Sequence, residues 1–366
     1  MAHIHITLVG GQPIPVYIGI VYAKPDKIMY VCSQQTHTEV VRLQQEVDID
    51  SEIIYLDPVD LADIESKIEQ LSLQFESHTI SINISSGTKP WSYYFSKTFG
   101  NKANVTILYV DQNNIVRNFN DYTIDDVSLN LDIRFRLYGN PLTNFSLLSD
   151  YCEDDFAAIE KIRKVRQFNF EDFNNLTNLF SKNTRSNYFE TFNGSTLEWC
   201  EENSEVIFKL YNYKGRFKRE VIDSPQAEAL VSNTGWFELE AAQLISKWDK
   251  VKELRLNCVF PTKSNSPKNE IDIIIDTYTK LLFVECKTQI YNETDIDKFA
   301  AAVKVYGGLG SKALFITDVP LKEKALEKCR DNKILHFSLK RSNGEDNSAD
   351  SLFQLLDNNL YNINPI

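Results

Sequence analysis

Short apolar runs alternate with longer stretches of helical periodicity over the first third of the chain. The runs at 5–9, 27–32, 53–56, 80–84 and 105–110 predict strands. Between them, residues 13–22, 36–45, 61–74 and 91–101 repeat their apolar positions every three to four residues and predict helices. Strands that alternate with helices call for right-handed crossovers and a parallel, doubly wound sheet, and in such sheets small ligands bind beyond the carboxyl ends of the strands. A β section over 115–137 follows. It closes on Leu131-Asp-Ile-Arg-Phe-Arg-Leu137, whose strict alternation predicts a strand with one wet face.

Past Gly139-Asn-Pro141 the pattern turns polar and helical, at 151–167 and 170–180, which predicts a helical linker. It changes again from residue 204, with a hairpin around Tyr213-Lys-Gly-Arg216, a helix at 235–248, strands at 251–260, 270–277 and 281–287, a helix at 295–306 and a strand at 313–317. The expected division is therefore 1–139, a linker over 140–190, and a second α/β domain over 191–366.

Composition narrows the function classes. The net charge is −12, and residues 1–150 carry 10 Lys+Arg against 18 Asp+Glu. Such acidity argues against general phosphate binding, which depends on clustered Lys and Arg, so a nucleic-acid partner has to be argued from local chemistry. Six scattered cysteines without a C-x-x-C pair speak against a zinc ribbon or a disulfide framework and read as reduced packing residues. No run of about 18 apolar residues occurs, so a cytoplasmic protein without a membrane partner is expected.

The densest chemistry lies in Asn269-Glu-Ile-Asp-Ile-Ile-Ile-Asp276 and Leu281-Leu-Phe-Val-Glu-Cys-Lys-Thr-Gln289. Two adjacent strands would bring Asp272 and Glu285 together. Strand alternation sets Glu285 and Lys287 on one face and turns Cys286 away. Carboxylates that interrupt an otherwise apolar sheet need a compensating role. Phosphodiester hydrolysis supplies one, through hard divalent ions held by oxygen ligands and a cation near the attacking water. Asp272 and Glu285 fit as ligands, Lys287 as the water-orienting cation, and Glu238, one turn into Gly235-Trp-Phe-Glu-Leu239, as a carboxylate reaching toward a metal-bound water. Glu270 shares a face with Asp272, but its place at the hairpin end favours a structural role.

A second constellation sits at the strand ends of the first domain. Ser85-Ser-Gly-Thr-Lys-Pro90 stands between a strand and a helix, where backbone amides, a hydroxyl and an ammonium suit phosphate. Gly10-Gly-Gln-Pro13 and Ser33-Gln-Gln-Thr36 end the first two strands. Together the three loops would line one crevice.

Ser85-Ser-Gly-Thr-Lys-Pro90 resembles the G-T-K signature of the CARF domain, the Rossmann-like sensor of cyclic oligoadenylates in type III CRISPR defence. Glu238, Asn269-Glu-Ile-Asp272 and Glu285-Cys-Lys287 resemble the PD-(D/E)xK nuclease fused to such sensors in the Card/Can group of ancillary nucleases. Ile271 replaces that family's usual proline, and Ser85-Ser86 stands where glycine or threonine is common. The resemblance implies an N-terminal Rossmann-like CARF domain and a C-terminal restriction-endonuclease-like α/β domain. It implies a homodimer that binds a cyclic oligoadenylate, cyclic tetra-adenylate first, through Gly10, Gly11, Gln12, Pro13, Ser33, Gln34, Thr36, Ser86, Gly87, Thr88 and Lys89. It also implies Mg²⁺ or Mn²⁺ held by Glu238, Asp272, Glu285 and the Cys286 carbonyl, for cleavage of single-stranded RNA or DNA or nicking of duplex DNA. The alternatives are a constitutive repair or restriction nuclease and a non-catalytic nucleotide-responsive DNA-binding regulator.

Overall fold

A computed structural model describes residues 2–182, 186–261, 269–290, 293–308, 310–340 and 344–361, apart from the side chains of Asn233 and Asn269. The remaining stretches of the expected linker and second domain lie outside the described residues. The chain divides into two compact units, Met1–Leu142 with Tyr278–Lys280, and Thr143–Thr277 with Leu281–Ile366.

The first unit runs β1 (His3–Val9), α1 (Pro13–Ala23), β2 (Lys27–Cys32), α2 (His37–Glu46), β3 (Ser51–Tyr55), α3 (Leu61–Gln74), β4 (Thr79–Asn83), α4 (Lys89–Phe99), β5 (Val105–Val110), β6 (Ile115–Asn118), β7 (Ile124–Asp126) and α5 (Leu131–Leu137). Its sheet has the order β3-β2-β1-β4-β5-β6-β7, parallel from β3 to β5 and antiparallel beyond. Both faces are covered. Ile4, Ile6, Leu8, Met29 and Ile82 pack with Ile64, Trp91 and Phe95 of α3 and α4, while Ile28, Tyr30 and Cys32 pack with Ile18 and Val40 of α1 and α2. Such two-sided burial is why the strands read as continuous apolar runs.

Residues 131–137, expected as a strand, are the helix α5. The Asn130 side chain caps it by accepting from the amides of Asp132 and Ile133 at 2.8 and 3.4 Å. The buried set Leu131, Arg134, Phe135 and Leu137 follows a helical spacing that the alternating apolar residues also satisfy.

The second unit begins with β8 (Asn144–Ser146), α6 (Glu153–Phe168) and α7 (Phe170–Lys182). Then come β9 (Tyr188–Glu190), β10 (Thr196–Cys200), β11 (Glu205–Tyr211) and β12 (Phe217–Asp223), an antiparallel sheet of order β12-β11-β10-β9. Next are α8 (Ala227–Val231), α9 (Gly235–Ile245), β13 (Glu253–Phe260), β14 (Asn269–Asp276), β15 (Leu281–Lys287), α10 (Thr294–Tyr306), β16 (Ser311–Thr317), α11 (Glu323–Asp331), β17 (Ile334–Ser338) and α12 (Ala349–Leu360). These strands make the order β17-β16-β15-β14-β13-β8, antiparallel from β15 to β8 and parallel from β15 to β17.

The segment read as a linker is built into this unit. Its β8 pairs with β13, and Ile159, Ile162, Phe173 and Leu176 of α6 and α7 join one core with Trp236, Ile273, Val284 and Leu314. An ion network ties α6 to α9: the Arg163 guanidinium donates to Glu240 at 2.6 and 2.5 Å and to Asp318 at 3.1 Å, and Arg166 donates to Asp318 at 2.5 Å. Both guanidiniums also lie over the Trp236 ring. Breaking one arm of such a network would strand a buried charge, so the register of α9 is firmly held.

Candidate functional site

Pairing fixes the position of the first two carboxylates. Ile273 stands opposite Val284 in the β14–β15 ladder, and the next pair in that register sets Asp272 opposite Glu285. The Cys286 amide donates to Asp272 Oδ2 at 2.7 Å, which locks that carboxylate against the neighbouring strand, while the Cys286 thiol is buried in the core behind. Lys287 Nζ lies 2.8 Å from Glu285 Oε1 and 3.7 Å from Asp272 Oδ2. Glu238 comes from the first turn of α9. All four line one cavity of about 510 Å³, with Tyr151, Ser232, Asn257 and Glu270 on its walls.

The electrostatics follow from burial. Glu238, Asp272 and Glu285 place three carboxylates against one ammonium. Burial, reinforced by Asp272, raises Glu238 well above the usual carboxylate range. Burial likewise raises Asp272 against the opposing pull of Lys287, and burial with the Asp272 charge pushes Glu285 up to about 7. For Lys287, burial disfavours the ammonium, but Asp272 and Glu285 outweigh it and hold the proton on. The site is therefore short of positive charge, and its donors are hard oxygens, the chemistry that suits Mg²⁺ or Mn²⁺. Among the described residues no three His, Cys, Asp or Glu side chains are already gathered as a metal cage. Between Asp272 and Glu285 the Lys287 ammonium holds the cation position.

Two wall residues carried no sequence signal. Asn257 sits in β13 with φ +52°, a left-handed conformation rare for a non-glycine residue, and donates from Nδ2 to the Tyr151 hydroxyl at 3.3 Å. Tyr151 lies in the stretch read as a linker. Glu270 is exposed and at the rim of the same cavity.

In the first unit the three strand-end loops do meet. The Gly10 amide donates to Ser86 Oγ at 3.0 Å, Ser86 Oγ donates to the Gln12 carbonyl at 3.2 Å, and Thr36 Oγ1 donates to the Val9 carbonyl at 3.0 Å. A Cβ on Gly10 would stand 2.6 Å from the Gly87 nitrogen, so backbone meets backbone there, and Gly87 itself has φ +86°. Gly11 has open space instead, so the close approach belongs to Gly10. Thr88 caps α4 by accepting from the Trp91 amide at 3.4 Å, which leaves Lys89 exposed at the helix start. Other expected contacts are engaged internally: Gln12 Oε1 accepts from the Tyr138 hydroxyl at 2.9 Å, the Ser33 amide donates to Thr36 Oγ1 at 3.2 Å, and Pro13 is buried. Gln34 is exposed.

Comparison with known proteins places this geometry. The family described as the Card1 CARF domain matches residues 4–134. Can2 from Sulfobacillus thermosulfidooxidans, solved in complex with cyclic tetra-adenylate, is similar in structure with a TM-score of 0.70 at 18% identity, over 97% of this chain and 98% of that one. Protein VC1899 from Vibrio cholerae gives a TM-score of 0.70 at 14% identity, over 96% of each chain. A type III CRISPR defence DNA nuclease activated by cyclic oligoadenylate gives 0.61 at 14% identity, over 98% of this chain and 52% of that one. No match among curated proteins accompanies these likenesses. At such identities the solved structures speak for a shared fold. Among the described residues no helix is long and apolar enough to cross a membrane. With the parallel order β3-β2-β1-β4-β5 and the sequence match in agreement, residues 4–134 are a CARF domain of the Card1 type, and a second α/β domain follows it.

Proposed function

We propose that the chain is a cyclic-oligoadenylate-activated, divalent-metal-dependent nuclease of type III CRISPR defence, with cyclic tetra-adenylate as its first candidate activator. The observation that carries the reading is the gathering of the Glu238, Asp272 and Glu285 carboxylates, Asp272 buried and the other two half-buried, around a single ammonium in one cavity. Glu238, Asp272, Glu285 and the Cys286 carbonyl would hold Mg²⁺ or Mn²⁺. Such an ion supplies charge neutralisation at phosphate and a more acidic water.

The protein's own groups do the rest. The Cys286 amide fixes the Asp272 carboxylate. Lys287 stays protonated, so it orients the attacking water and offsets the charge that develops on the phosphate rather than acting as a base. The Glu238 carboxyl, raised well above the usual carboxylate range by burial and by Asp272, faces the same cavity and is suited to exchange a proton with that water.

In the sensor, Gly10, Gly11, Gln12, Pro13, Ser33, Gln34, Thr36, Ser86, Gly87, Thr88 and Lys89 make up the proposed crevice. The amides and the Lys89 ammonium at the start of α4 suit a phosphate. A homodimer matches the two-fold symmetry of a ring nucleotide. The CARF match and the fold shared with a cyclic tetra-adenylate complex support this half of the reading.

The test is a cleavage assay on labelled single-stranded RNA, single-stranded DNA and plasmid, with and without cyclic tetra-adenylate and each metal. Cleavage should require both, and EDTA or Glu285→Gln should abolish it. Equal cleavage without activator would replace the sensor by a constitutive nuclease. Nucleic-acid binding with no cleavage under any condition would leave a non-catalytic regulator.

A further inference from the structure

In a chain of net charge −12, residues 208–219 carry five cations, Lys209, Lys214, Arg216, Lys218 and Arg219, and no carboxylate. They form the tip and upper part of the β11–β12 hairpin, whose base carries Glu205 paired with Asp223, with Glu220 opposite Phe208. Its ladder pairs Lys209 with Arg219 and Tyr211 with Phe217, and the turn between them carries Tyr213, Lys214 and Arg216. Alternation puts Phe208 and Leu210 in the core and the paired set on the outer face. There Tyr211 is 42%, Phe217 52% and Tyr213 91% exposed. Lys214 Nζ lies over the Tyr213 ring at 5.3 Å. Lys218 lies 3.8 Å from Glu220, whereas Lys209, Lys214, Arg216 and Arg219 have no carboxylate partner among the described residues.

β12 is an edge strand, and edge strands often carry charge to prevent pairing with other chains. That accounts for cations alone. Tyr211 and Phe217 pack on each other across the ladder with ring centroids 5.2 Å apart, yet they stay 42% and 52% exposed, and neither this pair nor edge protection accounts for Tyr213 at 91%. Cations tracking a backbone, interleaved with rings on which bases stack, are what sequence-tolerant binding of a single strand requires.

We infer that the β11–β12 hairpin is a docking surface for single-stranded nucleic acid; the inference deepens the nuclease reading and rests on it for the identity of the partner. The base of β12 leads within a few residues into α8, whose Ala229 and Leu230 line the catalytic cavity. From the Lys209–Arg219 pair to the Tyr211–Phe217 pair the cationic part of the ladder covers three residues of each strand, about 10 Å, and at about 3.4 Å per stacked nucleotide it takes roughly three nucleotides before the turn adds Tyr213, Lys214 and Arg216.

The test reads binding apart from cleavage. Full-length protein with cyclic tetra-adenylate and EDTA is titrated onto fluorescein-labelled 20-nucleotide RNA and DNA, and anisotropy gives Kd at several salt concentrations. The triple variant Lys214→Ala/Arg216→Ala/Arg219→Ala should weaken binding about tenfold or more at low salt and reduce the salt slope by about 2, at about 0.7 per cation for single strands. The double variant Tyr213→Ala/Phe217→Ala should weaken binding at least about fivefold with the slope unchanged. Both should melt like the wild type. Wild-type affinity and slope in both variants would overturn the inference, as would a wild type that binds neither oligonucleotide. Lost self-association in sedimentation with binding intact would make the surface a contact between copies and overturn it too. Binding with the expected slope but no cleavage with metal would uphold the surface while the proposed reaction fails.

Discussion

Replacing Glu285 by Gln should abolish cleavage and, in metal-free protein at alkaline pH, make the fold more stable. Burial and the neighbouring Asp272 push the Glu285 carboxyl up to about 7, from about 4.5 in the unfolded chain. A raised acid favours its neutral form in the folded state. No penalty therefore exists below pH 4.5; it grows as the pH rises toward 7 and is constant above. The rise from about 4.5 to about 7 corresponds to about 3 kcal/mol of disfavoured ionisation in the folded state. Glutamine imitates the neutral form in shape. The gain stays below that ceiling because the 2.8 Å ion pair with Lys287 is lost as well. We expect about 1–3 kcal/mol at pH 8, which is a few degrees in Tm for a domain of this size, and almost none at pH 4.5. The assay is urea denaturation of wild type and variant in EDTA at both pH values. A variant less stable than wild type at pH 8, or one shifted equally at both, would refute the argument that burial leaves this carboxylate strained.

Further outcomes follow from the same structure. Gly10→Val should weaken cyclic tetra-adenylate binding at least about tenfold by calorimetry, because its Cβ meets the Gly87 nitrogen at 2.6 Å and would push the two loops apart; unchanged affinity would remove this close approach from the crevice. Lys287→Met should keep Mn²⁺ binding but lose about 100-fold in kcat, consistent with the loss of one charge-stabilising group; unchanged kcat would remove Lys287 from the chemistry. Burial, with a smaller contribution from His3, pushes His5 down to about 3, so its unfolded form takes up protons that the folded form refuses. Stability should fall by about 2 kcal/mol between pH 7 and pH 5 from this group alone, and His5→Gln should flatten that part of the pH profile in denaturation experiments.

The first unit's parallel strands were legible because burial on both faces leaves unbroken apolar runs. The strands β14 and β15 were legible for the opposite reason, since Asp272 and Glu285 interrupt such runs. What escaped was decided by tertiary contacts. Leu131-Asp-Ile-Arg-Phe-Arg-Leu137 fits a period of two and also buries a helical face, and the Asn130 cap decided between them. The stretch holding α6 and α7 looked like a linker because its polar residues dominate, although Ile159, Ile162 and Leu176 reach the main core. Asn257 and Tyr151 lie far apart in sequence, and a left-handed residue inside a strand leaves no trace in residue pattern. Gly10 and Gly11 look alike in sequence, and only the path of the Gly87 backbone distinguishes them.

The Lys287 ammonium, lodged between two carboxylates, gives the resting cavity an internal counter-ion. A divalent ion entering the cavity then adds charge where charge is lacking, and by mass action it stabilises the folded form by about 2.7 kcal/mol at one hundred times its dissociation constant. That is close to the strain assigned to Glu285. If Mn²⁺ binds as proposed, its occupancy and the thermal resistance of the second unit should rise together, so a melting curve taken against Mn²⁺ concentration, with no substrate present, serves as a titration of the proposed site.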